Sequence, residues 1–239
     1  MFKMDVNGLK QLLSVPKKIV ITTHHKPDGD AMGSSLGLYN YLIQKKHAVT
    51  VVTPNDWPDF LAWMPGVDKV VEFEKAPEKA EELILKAEIL FCLDFNTTSR
   101  VEKFEPVLKK ATCTKVLIDH HLSPDNFCDY TYSFSQACAT AELVFDFICN
   151  MDEKKLINAD VAKCLYTGIM TDTASFRFET MRAETHRKIA DLMDAGAPNY
   201  MIHEAVYDNS SEMRMRLLGY CLNDKLKVLP EYSTAYISL

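Results

Sequence analysis

Four short apolar runs, each cut off by polar residues, constrain this chain more than any other feature. They are "KKIVITTHH", "AVTVVTP", "AEILFCLDFN" and "TKVLIDHH". Their apolar stretches do not alternate with polar residues, the pattern of strands buried on both faces of a parallel sheet. Between them lie the helical patterns "AMGSSLGLYNYLIQKK", "PEKAEELILKA" and "RVEKFEPVLKK". Strand and helix in alternation predict an α/β fold, a doubly wound and mainly parallel sheet flanked by helices. From about Ala137 the pattern turns helical, through "ACATAELVFDFICNM", "NADVAKCLYTGIMTDTASF", "RAETHRKIADLMDAG" and "PNYMIHEAVY". Gly196 followed by Pro198 predicts a stop between the last two. "SEMRMRLLGYCLNDKLKV" reads as a longer helix, and "STAYISL" alternates like a strand that lacks a partner.

The chemistry sits where the strands stop. In open α/β sheets, ligands bind beyond the carboxyl ends of the strands. His24, His25, Asp28, Asp30, Asp94, Asp119, His120 and His121 are therefore expected to gather in one crevice. Asp172, in "TGIMTDTASF", adds a carboxylate amid small and apolar residues, where it is costly unless paired or bound to a cation. Each piece has a plainer reading. Asp28-Gly29-Asp30 suits a turn and helix cap, Asp94 could cap the next helix, and His120 and His121 could be loop residues. Five aspartates in one cleft would repel one another, however, and two divalent cations would neutralise most of that charge. Mixed His nitrogen and Asp oxygen suits Mn²⁺, with Zn²⁺, Fe²⁺, Co²⁺ or Mg²⁺ as alternatives.

Composition narrows the partners. The 239 residues carry a net charge of −6, with 47% hydrophobic and 25% charged residues. A grip on long nucleic acid calls for a basic excess, so a polyanionic partner is expected to be short or held through metal. The seven cysteines include no C-x-x-C pair and fall mostly in apolar stretches, as structural thiols in a reducing compartment do. The start, "MFKMDVNGLKQLL", does not read as a signal peptide, and no apolar run reaches the ~20 residues of a membrane span. A cytoplasmic protein without a membrane partner is expected.

"DHH" at 119–121, with "HHKPDGDAMGSSLGL" before it and "GIMTDTASFRF" after it, resembles the DHH phosphoesterase superfamily. The nearest likeness is to the branch of short-oligoribonucleotide hydrolases (nanoRNases) and pAp phosphatases, and it extends to "VYDNSSEMRMRLLGYCL". The family pattern H-x-x-P-D-x-D falls on His24, Pro27, Asp28 and Asp30. The resemblance implies that His24, Asp28 and Asp94 bind one metal and that Asp30, Asp94, His120 and Asp172 bind the other, with Asp94 bridging. His25 becomes a neighbour facing substrate or solvent. Asp119 would orient a site histidine through its other ring nitrogen, and His121 would point at the phosphate.

Two cations about 3.5–4 Å apart can activate water and polarise one phosphoester. His121, and with it Arg100, is then expected to stabilise phosphoryl charge, although the first reading of Arg100 is a surface arginine. The N–H groups of Gly33-Ser34-Ser35, if they open a helix, would add an anion site.

The expected substrates are short oligoribonucleotides or 3′-phosphoadenosine 5′-phosphate. Alternatives are cyclic-dinucleotide, pyrophosphate or polyphosphate hydrolysis, or a catalytically weak nucleotide-binding fragment. Family members carry a smaller second domain (DHHA1) with a G-G-G-H-type motif, which this chain lacks. The expected division is 1–205 as the metal-binding domain, 206–229 as a helical connector and 230–239 as the first strand of a truncated DHHA1 domain. Metal binding is then expected to survive and nucleotide turnover to be weak; a homo-oligomer is compatible with all of this.

Overall fold

The computed structural model describes residues 1–238. They form two compact units, Met1–Ile202 and a smaller one from His203 onward. The first unit is built on a six-stranded, all-parallel sheet of β1 (Lys18–Thr22), β2 (Ala48–Thr53), β3 (Val71–Glu72), β4 (Ile89–Leu93), β5 (Thr114–Asp119) and β6 (Tyr130–Ser133). Its strand order is β3-β2-β1-β4-β5-β6. The doubly wound α/β expectation holds. β3 and β6 were not predicted: β3 is two residues long, and β6, "YTYS", is an edge strand without an apolar run.

Helices α1 (Asn7–Leu12), α2 (Gly29–Gln44), α3 (Pro77–Leu85), α4 (Glu105–Lys110), α5 (Thr140–Asn150), α6 (Ala159–Asp172) and α7 (Ala183–Asp194) complete this unit, and α8 (Asn199–Tyr207) runs across its boundary. On one face of the sheet α3 and α4 close a core with Val20, Leu90, Cys92 and Leu117. On the other, α2 and α5 cover the strands and α6 packs on both. α2 therefore lies between sheet and helix, and most of its residues from Gly29 to Leu42 are buried. Gly29, Gly33 and Gly37 form the α2 stripe that faces α6. A Cβ on Gly33 would sit 2.7 Å from the Cys164 carbonyl oxygen and 2.8 Å from Gly168 Cα, so only glycine lets the two backbones come this close. α7 is tied to α5 by the buried Lys188, whose Nζ lies 2.8 Å from Glu142 Oε1 and 2.7 Å from Asp146 Oδ2.

Two helical expectations are corrected. "RVEKFEPVLKK" is not one helix but a 3₁₀ segment, Thr98–Phe104, and then α4. Pro106 has no N–H to give a continuing helix, and it fits the first turn of a new one. The helix expected through Val228 ends earlier. α9 (Glu212–Tyr220) passes through a π-helical turn (Cys221–Lys225) into β7 (Leu226–Leu229), which pairs antiparallel with β8 (Thr234–Ile237). The strand in "STAYISL" thus has its partner just upstream; Leu239 lies outside the described residues. Gly196 takes φ +108 after α7, as its expected role as a stop requires. All seven cysteines are free. Among the described residues no helix is long and apolar enough to cross a membrane.

Candidate metal centre

The loop after β1 brings the first groups. His24 is buried, and its Nδ1 lies 2.8 Å from the His25 carbonyl. With that nitrogen donating, Nε2 is left as the free donor atom, and it faces Asp94 Oδ2 at 3.5 Å and Asp28 Oδ2 at 3.9 Å. Asp28 also caps α2: its Oδ1 accepts the N–H groups of Asp30 and Ala31, each at 3.0 Å. The cap reading and the cluster reading are both true of this residue, because a carboxylate has lone pairs for two tasks.

Asp94 follows β4 and is 2% exposed. Its φ of +65 lies in the left-handed region and turns the chain sharply at the strand end. Its two oxygens face opposite ways. Oδ2 meets His24, while Oδ1 lies 3.5 Å from His120 Nε2 and accepts the Thr140 hydroxyl at 2.8 Å. Burial works against its charge, but His24 outweighs it with help from His120 and Thr140, and holds the carboxyl down at about 2. In return, although burial disfavours the His24 cation, Asp94 raises that histidine above its ordinary value.

The third group lies toward α5 and α6. His120 Nδ1 is 3.4 Å from the Ala137 carbonyl, so Nε2 again points inward, 3.6 Å from Asp172 Oδ2 and 4.0 Å from Asp30 Oδ2. Asp30 is fully buried at the N-terminus of α5 and accepts the N–H groups of Thr140 at 2.6 Å and Ala141 at 2.9 Å. Burial, followed by the charges of Asp94, Asp172 and Asp28, pushes its carboxyl well up. Asp172 ends α6, where the helix dipole already disfavours an anion. Burial raises it to about 6, with the Asp94 and Asp28 charges adding to the rise and His120 opposing it. Excess negative charge with imidazole nitrogens turned toward it is what a cation would relieve.

Three triads have donor atoms all within 4.8 Å of one another: His24, Asp28 and Asp94; Asp30, His120 and Asp172; Asp94, His120 and His121. Ligands about 2.0–2.2 Å from one ion stand roughly 3–3.5 Å apart, so imidazole–carboxylate separations of 3.5–4.0 Å need only slight contraction to share an ion.

The remaining expected residues divide. Asp119, fully buried at the end of β5, accepts from His121 Nδ1 at 2.7 Å. That bond raises the imidazole above its usual value while Arg100 opposes the rise, so the exposed guanidinium is close enough to be felt. His25 turns away from the carboxylate cluster. Its N–H donates to the Arg100 carbonyl at 2.8 Å, and its Nδ1 lies 3.1 Å from Glu102 Oε1. Ser34 and Ser35 are corrected as phosphate contacts. α2 opens at Gly29, so their N–H groups lie inside the helical ladder, and both side chains are fully buried. Sequence reasoning missed Thr140, which touches both Asp30 and Asp94. Its one sequence signal is its place in "ACATAE", where α5 begins.

A model of the DHH family, N-terminal domain, matches residues 18–169. Over 187 residues the chain is 35% identical to a bifunctional oligoribonuclease and PAP phosphatase NrnA of Thermus thermophilus, covering 77% of this chain and 52% of the relative. It is 26% identical to a cyclic-di-AMP phosphodiesterase PdeA of Listeria monocytogenes, covering 87% of this chain and 33% of the relative. The chain therefore spans about half the length, or less, of these curated relatives. The crystal structure of an exopolyphosphatase-related protein from Bacteroides fragilis superposes with a TM-score of 0.95 at 40% identity, covering 98% of this chain and 68% of the other.

Proposed function

The chain belongs to the DHH family, and from that premise we propose that it is a phosphoesterase using two divalent cations to hydrolyse short oligoribonucleotides or 3′-phosphoadenosine 5′-phosphate. The observation that carries this reading is Asp94, which turns one oxygen to His24 and the other to His120. His24, Asp28 and Asp94 would hold one cation; Asp30, Asp94, His120 and Asp172 would hold the other. The donor set of nitrogen and carboxylate oxygen favours Mn²⁺, and residues 1–205 carry all of it. Bound there, the cations would draw charge from the phosphoryl oxygens and lower the pKa of water.

The chain's own residues do the rest. Asp119 fixes the His121 ring through Nδ1, which leaves Nε2 free to face an ester and to hand a proton to the departing oxygen. Arg100, exposed and near enough for its charge to act on His121, is suited to the charge that builds on the phosphoryl group. Relatives named for oligoribonuclease and PAP phosphatase activity support the substrate class. Seven free cysteines support a reducing, cytoplasmic setting.

Metal analysis and a substrate panel test the reading. Two Mn²⁺ per chain are expected, with turnover of pApA and pAp exceeding that of cyclic di-AMP and pyrophosphate. Turnover of pyrophosphate alone would overturn the assignment.

A further inference from the structure

β2 lies beside β1 in the sheet, so the loop after β2 runs next to the loop that carries His24 and Asp28. Between them is a cleft of about 360 Å³, lined by residues 26–28 on one side and 55–58 on the other. Asp28 is part of its wall, and the same carboxylate faces His24 Nε2 at 3.9 Å. The cleft thus shares Asp28 with the candidate metal centre.

Its walls are fixed from below. Asn55 is 5% exposed and accepts the Lys26 N–H at 2.6 Å, which ties the two loops together. Lys26 takes φ +54, a conformation uncommon in a lysine that the Asn55 bond helps to hold. The same Asn55 donates to Asp56 Oδ1 at 3.0 Å and so orders the other rim. Two groups are left without partners. Trp57 is half-buried, with no ring partner and no hydrogen bond among the described residues, and Lys26 is exposed and makes no ion pair among them.

We propose that this cleft is the subsite for a nucleobase next to the scissile phosphate, with Trp57 as the stacking platform and the Lys26 ammonium on the phosphate of that nucleoside. The assignment rests on the nucleotide reading above and adds where the base goes. A flat indole at a rigid rim accepts any base by its π-face, and a single lysine serves as a point charge for phosphate. Asp56 does not oppose a base, which is uncharged.

The test is calorimetric titration of the full chain in Mn²⁺ buffer with AMP and with ribose 5-phosphate, which lacks only the base. Wild type is expected to bind AMP at least about fivefold tighter than ribose 5-phosphate. Trp57→Ala should bring that ratio to one, and Trp57→Phe should restore most of it. Lys26→Gln should weaken both ligands and keep the ratio. Thermal unfolding of each variant separates loss of folding from loss of the platform. Equal or undetectable binding of the two ligands to wild type overturns the proposal. So does an equal loss for both ligands in a folded Trp57→Ala, the mark of a loop that has lost support and nothing more. Failure to turn over pApA or pAp would instead strike the phosphoesterase reading, since the base preference is read from binding alone.

Discussion

Asp94 combines a strained backbone with a shared carboxylate, and the two can be separated. At φ +65 the favoured residues are glycine, asparagine and aspartate, so Asp94→Asn preserves the turn and the Thr140 contact while removing the charge. The variant is expected to fold, to lose at least one equivalent of metal, and to lose activity by about 100-fold or more, since even partners that only orient ligands account for about 10–100-fold. Metal analysis and kcat read this directly. His47 gives a pH prediction remote from the cluster. It is buried, its Nδ1 accepts the Lys17 N–H at 3.1 Å, and burial followed by the Lys45 charge lowers its pKa. A histidine with a lowered folded pKa takes up its proton more readily when unfolded. Its effect is therefore absent above about pH 6.5 and destabilises the fold increasingly as pH drops below that. Between pH 7 and 5.5, His47→Gln should lose less of its urea midpoint than wild type does. Unlike Asp28 and Asp94, which follow strand ends, Thr140 was hidden in the sequence because half its contribution is a backbone N–H.

At the scale of elements, the α2–α6 contact decides whether the cluster assembles. Asp30 rides on α2 and Asp172 ends α6, so the closeness of the two helices sets the distance between their carboxylates. Gly33→Ala places a methyl against backbone atoms at 2.7–2.8 Å. Backbone cannot rotate away, so the helices must part, at a cost of about 1–3 kcal/mol. Urea denaturation should show that loss, and a metal titration should show weaker binding although no ligand has changed. The runs that became β1, β2, β4 and β5 were legible because strands buried on both faces leave apolar letters unbroken. "LKVL" was not, since its apolar positions suit a helix face as well as an exposed hairpin, and only pairing with Thr234–Ile237 decides between them. The glycine stripe was invisible for a related reason: its meaning depends on a helix more than 120 residues away.

For the whole molecule, the strand order places the cluster. The order β3-β2-β1-β4-β5-β6 reverses direction between β1 and β4, and the loops leaving those two strands diverge to open a crevice. His24 and Asp28 come from one side of that switch point and Asp94 from the other, so cations held there would join the two halves of the sheet. Stripping divalent metal with a chelator should lower Tm by about 5–10 °C, the shift expected when a ligand at about 100 times its Kd is withdrawn from a chain of this size. Scanning calorimetry with and without Mn²⁺ checks it. The glycine stripe also bears on how a saturation mutagenesis experiment would read. Scored by activity, it would rank Gly33 as intolerant as Asp94, and a map of essential positions would credit chemistry to a residue with no side chain. Scoring the same library for abundance would separate them, because Gly33 variants would be cleared as misfolded chains while folded but inert Asp94→Asn would accumulate.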